Sequence, residues 1–147
     1  MAADGDIEPF LEVFRKNVLV SLSNRDTMQY DEQSMKMLLF GALTATEAFF
    51  VFSEKEAAHG YFDLFLVPNP ALDDPRFAWL FELKYLPTNA NEKQLEEKFV
   101  QAEEQLTKYL SDEKFMGVLS KGLELRAGTI VFLGCSRMEW RAFAPAS

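Results

Sequence analysis

Apolar residues recur along this chain with two different periods, and the switches between them mark out its elements. Phe10, Leu11, Phe14, Val18 and Leu22 are spaced as one face of a helix. Ahead of them, Asp6 is a candidate cap, Glu8 an acid for the first turn and Pro9 a residue that a helix start tolerates. The spacing predicts a helix to about Ser21, followed by turn chemistry at Ser23-Asn-Arg-Asp26. A second helix is predicted from near Asp31, with Met35, Leu38, Leu39, Ala42 and Leu43 as its buried stripe and Glu32 at its amino-terminal end. From Glu47 to about Glu56 the pattern turns β-like, with Phe49, Phe50, Val51 and Phe52 as a short buried run. Ala57-Ala-His-Gly60 reads as a tight connection to an antiparallel strand, Tyr61-Phe-Asp-Leu-Phe-Leu-Val67, which carries one carboxylate, Asp63.

Pro68 to Pro75 is a proline-rich loop that ends this strand and delays the next. The next is Phe77-Ala-Trp-Leu-Phe-Glu-Leu-Lys-Tyr85, apolar but for Glu82 and Lys84, the pattern of a strand buried on both faces. Pro87-Thr-Asn-Ala-Asn91 closes it, and Asn89 or Asn91 caps a long third helix to about Leu110, with Leu95, Phe99, Ala102, Leu106 and Leu110 as its stripe. Gln105 and Tyr109 lie one turn apart on a neighbouring flank. A short helical piece from Phe115 to Leu119 leads through Gly122 and Gly128 to a strand at Thr129–Leu133. Gly134-Cys-Ser-Arg137 then turns the chain into a last strand, Met138–Phe143. The order is helix, helix, three strands, a crossover helix and two strands: a mixed α/β sandwich around a buried central strand.

Composition sharpens this further. At 147 residues, with 48% hydrophobic positions and fourteen phenylalanines, the chain is a single globular domain with a core of large flat side chains. A single cysteine, Cys135, excludes an internal disulfide framework and points to an intracellular, cytoplasmic setting. Cys135 itself reads as a core or strand-end residue, and His59 as a solvated loop residue. No apolar run is long enough to cross a bilayer and the amino terminus is not signal-like, so no membrane association is expected. The net charge of −8 argues against a broad basic groove for nucleic acid.

The chemistry sits on the central strand. Residues two apart in a strand point the same way, so Glu82 and Lys84 leave one face together. Buried charges are costly unless they are paired or bind something. With the Asp63 strand alongside, two carboxylates and a lysine meet at a sheet edge, a set suited to a divalent metal that activates water. The tripeptide alone also fits a plain salt bridge near a strand end.

Three motifs in order carry a likeness: Gly60-Tyr-Phe-Asp-Leu-Phe-Leu, then Phe81-Glu-Leu-Lys, then Ala102-Glu-Glu-Gln-Leu-Thr-Lys-Tyr109. Together they resemble the PD-(D/E)XK nuclease superfamily, most closely the branch found at the carboxyl end of AAA-ATPase-like proteins. Gly5-Asp-Ile-Glu-Pro-Phe10 and the helix from Glu32 are similar to the segments that precede the nuclease core there. The resemblance implies a restriction-endonuclease-like fold, a mixed central sheet flanked by helices. It implies one domain over 1–147, with 1–30 a helical extension and 31–147 the core. It further implies a Mg²⁺- or Mn²⁺-dependent phosphodiesterase acting on nucleic acid, DNA in the first instance. Asp63, Glu82 and the backbone carbonyl of Leu83 would hold the metal, with Glu32 an outer partner. Lys84 would act on water or on the phosphate charge, and Gln105 and Tyr109 would contact the nucleic-acid backbone or brace the site. One position departs: Tyr61 stands where that branch often has arginine after the glycine. With the acidity, it keeps a second reading open, a non-catalytic module of the same fold that holds a protein partner through its acidic surface.

Overall fold

The computed structural model describes residues 1–23, 30–57, 60–112 and 122–144, without the side chains of residue 23 and of 54–62. The turn after Ser23, His59, the side chain of Tyr61 and the helical piece expected at 115–119 therefore lie outside the described residues.

Five strands form one mixed sheet in the order β1-β2-β3-β4-β5: β1 (Phe49–Ala57), β2 (Gly60–Pro68), β3 (Phe77–Leu86), β4 (Glu124–Leu133) and β5 (Arg137–Ala142). Neighbours run antiparallel except β3 and β4, which are parallel and joined across helix α4 (Glu92–Leu110). A parallel pair needs such a crossover, and the amphipathic stripe of α4 gives it a face to bury. Leu95, Phe99, Ala102, Leu106 and Tyr109 are the buried positions; Leu110, expected on the stripe, is half-buried and Tyr109 takes its place. The start of α4 is a capping box: the Gln94 N–H donates to Asn91 Oδ1 at 2.8 Å and the Asn91 N–H to Gln94 Oε1 at 2.9 Å.

The opposite face of the sheet is covered by α1 (Glu8–Phe14), a π-helical turn at Arg15–Leu19, α2 (Val20–Ser23) and α3 (Glu32–Ala45). One long helix was expected here. The backbone does run helically from Glu8 to Ser23, but the Val20 N–H reaches back to the Arg15 carbonyl, one residue further than in an α-helix. The wide turn moves the buried stripe from Val18 to Leu19, five positions after Phe14. It also carries Arg15, whose guanidinium donates to the Met138 carbonyl of β5 at 3.1 and 3.3 Å. In α3, Asp31 caps by accepting the Ser34 N–H at 2.8 Å, and Met35, Leu39 and Leu43 are buried.

These faces explain the burial of β3. Trp79, Phe81 and Leu83 pack against α1 and α3, with Leu11, Phe14, Met35 and Leu39. Ala78 and Leu80 pack with Phe65 against Leu106 and Tyr109, and Leu86 against Leu95 and Phe99. Each such large side chain, fully buried, contributes about 1.5–3 kcal/mol relative to exposure.

Two expectations need correction. Phe49–Phe52 is not a buried run: Phe49 is buried, but Phe50 and Phe52 are 53% and 41% exposed. β1 is an edge strand, and among the described residues only one face of its pleat is covered. The penultimate strand starts at Glu124, well before Thr129, because Gly128 is not a break in it. Gly128 lies within the strand, and a Cβ there would run into the Trp140 ring on β5.

Candidate active site

The β2–β3 ladder pairs Leu64 with Phe81, Phe65 with Leu80 and Leu66 with Trp79, and it stops there. One step further, where Asp63 would face Glu82, the strands part. The Asp63 carboxylate fills the gap: its Oδ2 accepts the backbone N–H of Leu83 at 2.8 Å, a bond the ladder would otherwise have supplied. Glu82 and Lys84 leave β3 on the α4 face, the face of Leu80 and Leu86. The Lys84 ammonium donates to Glu82 Oε1 at 3.1 Å and to Gln105 Oε1 at 2.5 Å, so a residue of α4 holds the lysine of β3.

Glu82 is almost fully buried, and its second oxygen, Oε2, has no hydrogen-bond partner among the described residues. Burial pushes its carboxyl up to about 7, the Asp63 charge adds to the rise, Lys84 opposes it and the charge of Glu32 contributes a smaller upward push. Tyr109, also buried, is pushed up to about 12 by burial and then by the charges of Glu82 and Asp63. It stays a neutral phenol beside the carboxylates.

Of the residues singled out from sequence, Asp63, Glu82, Lys84, Gln105 and Tyr109 converge at the end of the β2–β3 ladder. Glu32 is exposed in the first turn of α3 and acts on Glu82 through its charge alone. Among the described residues no three acidic, His or Cys side chains close around a common metal position. Cys135 is half-buried in the β4–β5 turn.

Sequence reasoning missed Lys36. It is buried in α3, and its ammonium lies 3.5 Å from Asp63 Oδ1. A signal was present: Lys36 falls between Met35 and Leu39 on the apolar stripe, one turn after Glu32, where a solvated lysine has no place.

The donor set suits a hard cation. Two carboxylates offer oxygen ligands, and the unpartnered Glu82 Oε2 is a buried acceptor that lacks a positive neighbour of its own. Mg²⁺ commonly takes one or two protein carboxylates and completes its shell with water and phosphate oxygens, so two suffice.

A mixed sheet flanked by helices, with an acid–x–lysine strand beside a ladder that opens onto an aspartate, defines a restriction-endonuclease-like domain. A family model for the PD-(D/E)XK nuclease superfamily matches residues 30–140, and the chain belongs to that superfamily. No curated protein and no solved structure matches the chain. Among the described residues, no helix is long and apolar enough to cross a membrane.

Proposed function

We propose that this chain is a metal-dependent nuclease domain that hydrolyses phosphodiester bonds of nucleic acid, DNA in the first instance. The observation that carries the reading is the Glu82 carboxylate, buried with one oxygen tied to Lys84 and the other unpartnered, next to an aspartate fixed by the Leu83 N–H. Asp63, Glu82 and the Leu83 carbonyl would hold Mg²⁺ or Mn²⁺, with Glu32 as an outer partner. The ion, when bound, would polarise the phosphoryl group and lower the pKa of a water molecule.

The chain's own residues have separate tasks. Gln105 and Glu82 hold the Lys84 ammonium in one orientation, so its positive charge can meet the charge that builds on the phosphate or orient the attacking water. The amide of Gln105 thereby acts on substrate through Lys84, as a brace. Tyr109, packed on the same sheet face, would contact the nucleic-acid backbone or brace the site. We assign residues 31–147 to the nuclease core and 1–30 to a helical extension. We infer a cytoplasmic protein of the AAA-ATPase-associated branch, whose partner would meet the acidic surface.

The test is incubation of single- and double-stranded DNA and RNA with wild type and Lys84→Ala in Mn²⁺. Wild type should cut at least one substrate, Lys84→Ala none, and Lys84→Arg should not restore cutting, because a planar guanidinium cannot stand in for a compact ammonium. If wild type cuts nothing, or both cut equally, the nuclease reading fails; in the first case the protein-binding module takes its place.

A further inference from the structure

We propose that Lys36 is a built-in counter-ion which occupies the second cation position beside Asp63 and limits the site to one divalent ion. The proposal rests on the metal-dependent reading above and adds to it a residue and a stoichiometry. Three observations carry it. Lys36 comes from α3, on the far side of the sheet from Lys84, yet its ammonium reaches Asp63 Oδ1 because the β2–β3 ladder has opened there. Its side chain is 5% exposed, so its charge is held in place rather than waving in solvent. The two carboxylates are thus each served by a different ammonium, Lys36 on Asp63 and Lys84 on Glu82.

The charge arithmetic follows. With both carboxyls ionised, as a bound ion requires, two carboxylates and two ammonium groups sum to zero, and one divalent ion brings the cluster to +2. A second would bring it to +4 in a largely buried space, with Lys36 against the very oxygen that a second ion would need. The acceptor without a partner is Glu82 Oε2, whereas the Lys36 contact is made to Asp63 Oδ1, so one ion can enter at Glu82 while Lys36 stays. Lys36 is accordingly a positioning residue: it steadies Asp63 and tunes how strongly, and how often, the site takes a cation.

The experiment is a titration of the whole chain with Mn²⁺ alone, followed by calorimetry and by the electron spin resonance of free Mn²⁺. Wild type should bind one ion per chain, and Asp63→Asn should bind none in the same range. Lys36→Met keeps the length of the side chain and removes a positive charge near a divalent ion; it should tighten binding on the order of tenfold or more. Lys36→Glu should admit a second ion, and Lys36→Arg should stay at one with little change in affinity. A count of two in wild type overturns the proposal and leaves the nuclease reading intact. So does an unchanged affinity in a folded Lys36→Met. Wild type that binds no Mn²⁺ at millimolar concentration overturns the metal-dependent reading and this proposal with it. The wild-type count decides even if a variant fails to fold.

Discussion

Strand β3 has two neighbours, and it treats them differently. Towards β4 it pairs along its whole length, from Phe77 with Glu124 to Leu86 with Leu133, and the apolar ladder is closed over by Trp140 and the helices. Towards β2 it pairs only from Trp79 to Phe81, and beyond that the gap is filled by charge: Asp63, Glu82, Lys84 and Lys36. One side is a wall and the other a fork. The wall gives β3 a fixed position, and the fork frees its backbone from the ladder where chemistry needs it. Buried charges on a strand with two complete ladders would have no room for a ligand; on a strand with none they would have no fixed geometry.

Substitutions can break or sharpen this contrast. The largest effect is expected in the wall. Phe81 is fully buried, with its ring edge-on to Trp140 at 5.6 Å and tilted against Trp79 at 5.8 Å. Phe81→Ala should cost about 3–5 kcal/mol in denaturant unfolding, as large-to-small changes in aromatic cores do. A loss under 1 kcal/mol, roughly that of a surface change, would mean the wall is not packed as described.

Next comes the fork, read through pH in the presence of a chelator. The carboxyl of Glu82 is raised from 4.5 to about 7. Below pH 4.5 the folded and unfolded chains both hold the proton. Between 4.5 and 7 the unfolded chain loses it while the folded chain keeps it. Metal-free stability should therefore fall as pH rises through this window, by about 3 kcal/mol at 1.36 kcal/mol per pH unit. Glu82→Gln should remove that slope, and Mn²⁺ should reverse it in wild type. A flat profile in chelator would show that Glu82 is solvated.

A smaller effect belongs to the fork's tip. Asp63→Ala leaves the Leu83 N–H and the buried Lys36 without the carboxylate they share, at a cost of about 1–3 kcal/mol. Asp63→Asn keeps an acceptor for Leu83 and should lose less. Equal losses would mean that Lys36 rather than the N–H carries the interaction. The smallest effect is at the sheet edge: Phe50→Thr, although it too removes a phenylalanine from a strand, should stay within about 0.5 kcal/mol because the ring is more than half exposed.

The wall was the more legible of the two in sequence. The apolar run from Phe77, the cap at Asn91 and the stripe of α4 follow from periodicity and side-chain chemistry alone, and they led to a buried strand with a crossover behind it. Glu82 and Lys84 were visible as charges in an apolar strand. What stayed hidden depends on relations between elements. Phe50 reads like Phe81 until one knows that β1 has no neighbour on one side among the described residues. Gly128 reads like a break until Trp140 is seen lying over it. Leu19 takes the place of Val18 only because a π-helical turn widens the helix. Lys36 carries no motif; it joins the site because a ladder opens far from it in sequence and lets an ammonium through from the opposite face.

The wall's pairing also sets an order of events for a chain being made. β1 and β2 lie two residues apart in sequence and can pair as soon as both have emerged, whereas Phe77 waits for Glu124, 47 positions later. Until then the most apolar strand of the protein has an empty flank, along the side that will become its longest ladder. A ribosome stalled or a gene cut anywhere within α4 would release that strand unpaired, a sticky template for its own copies.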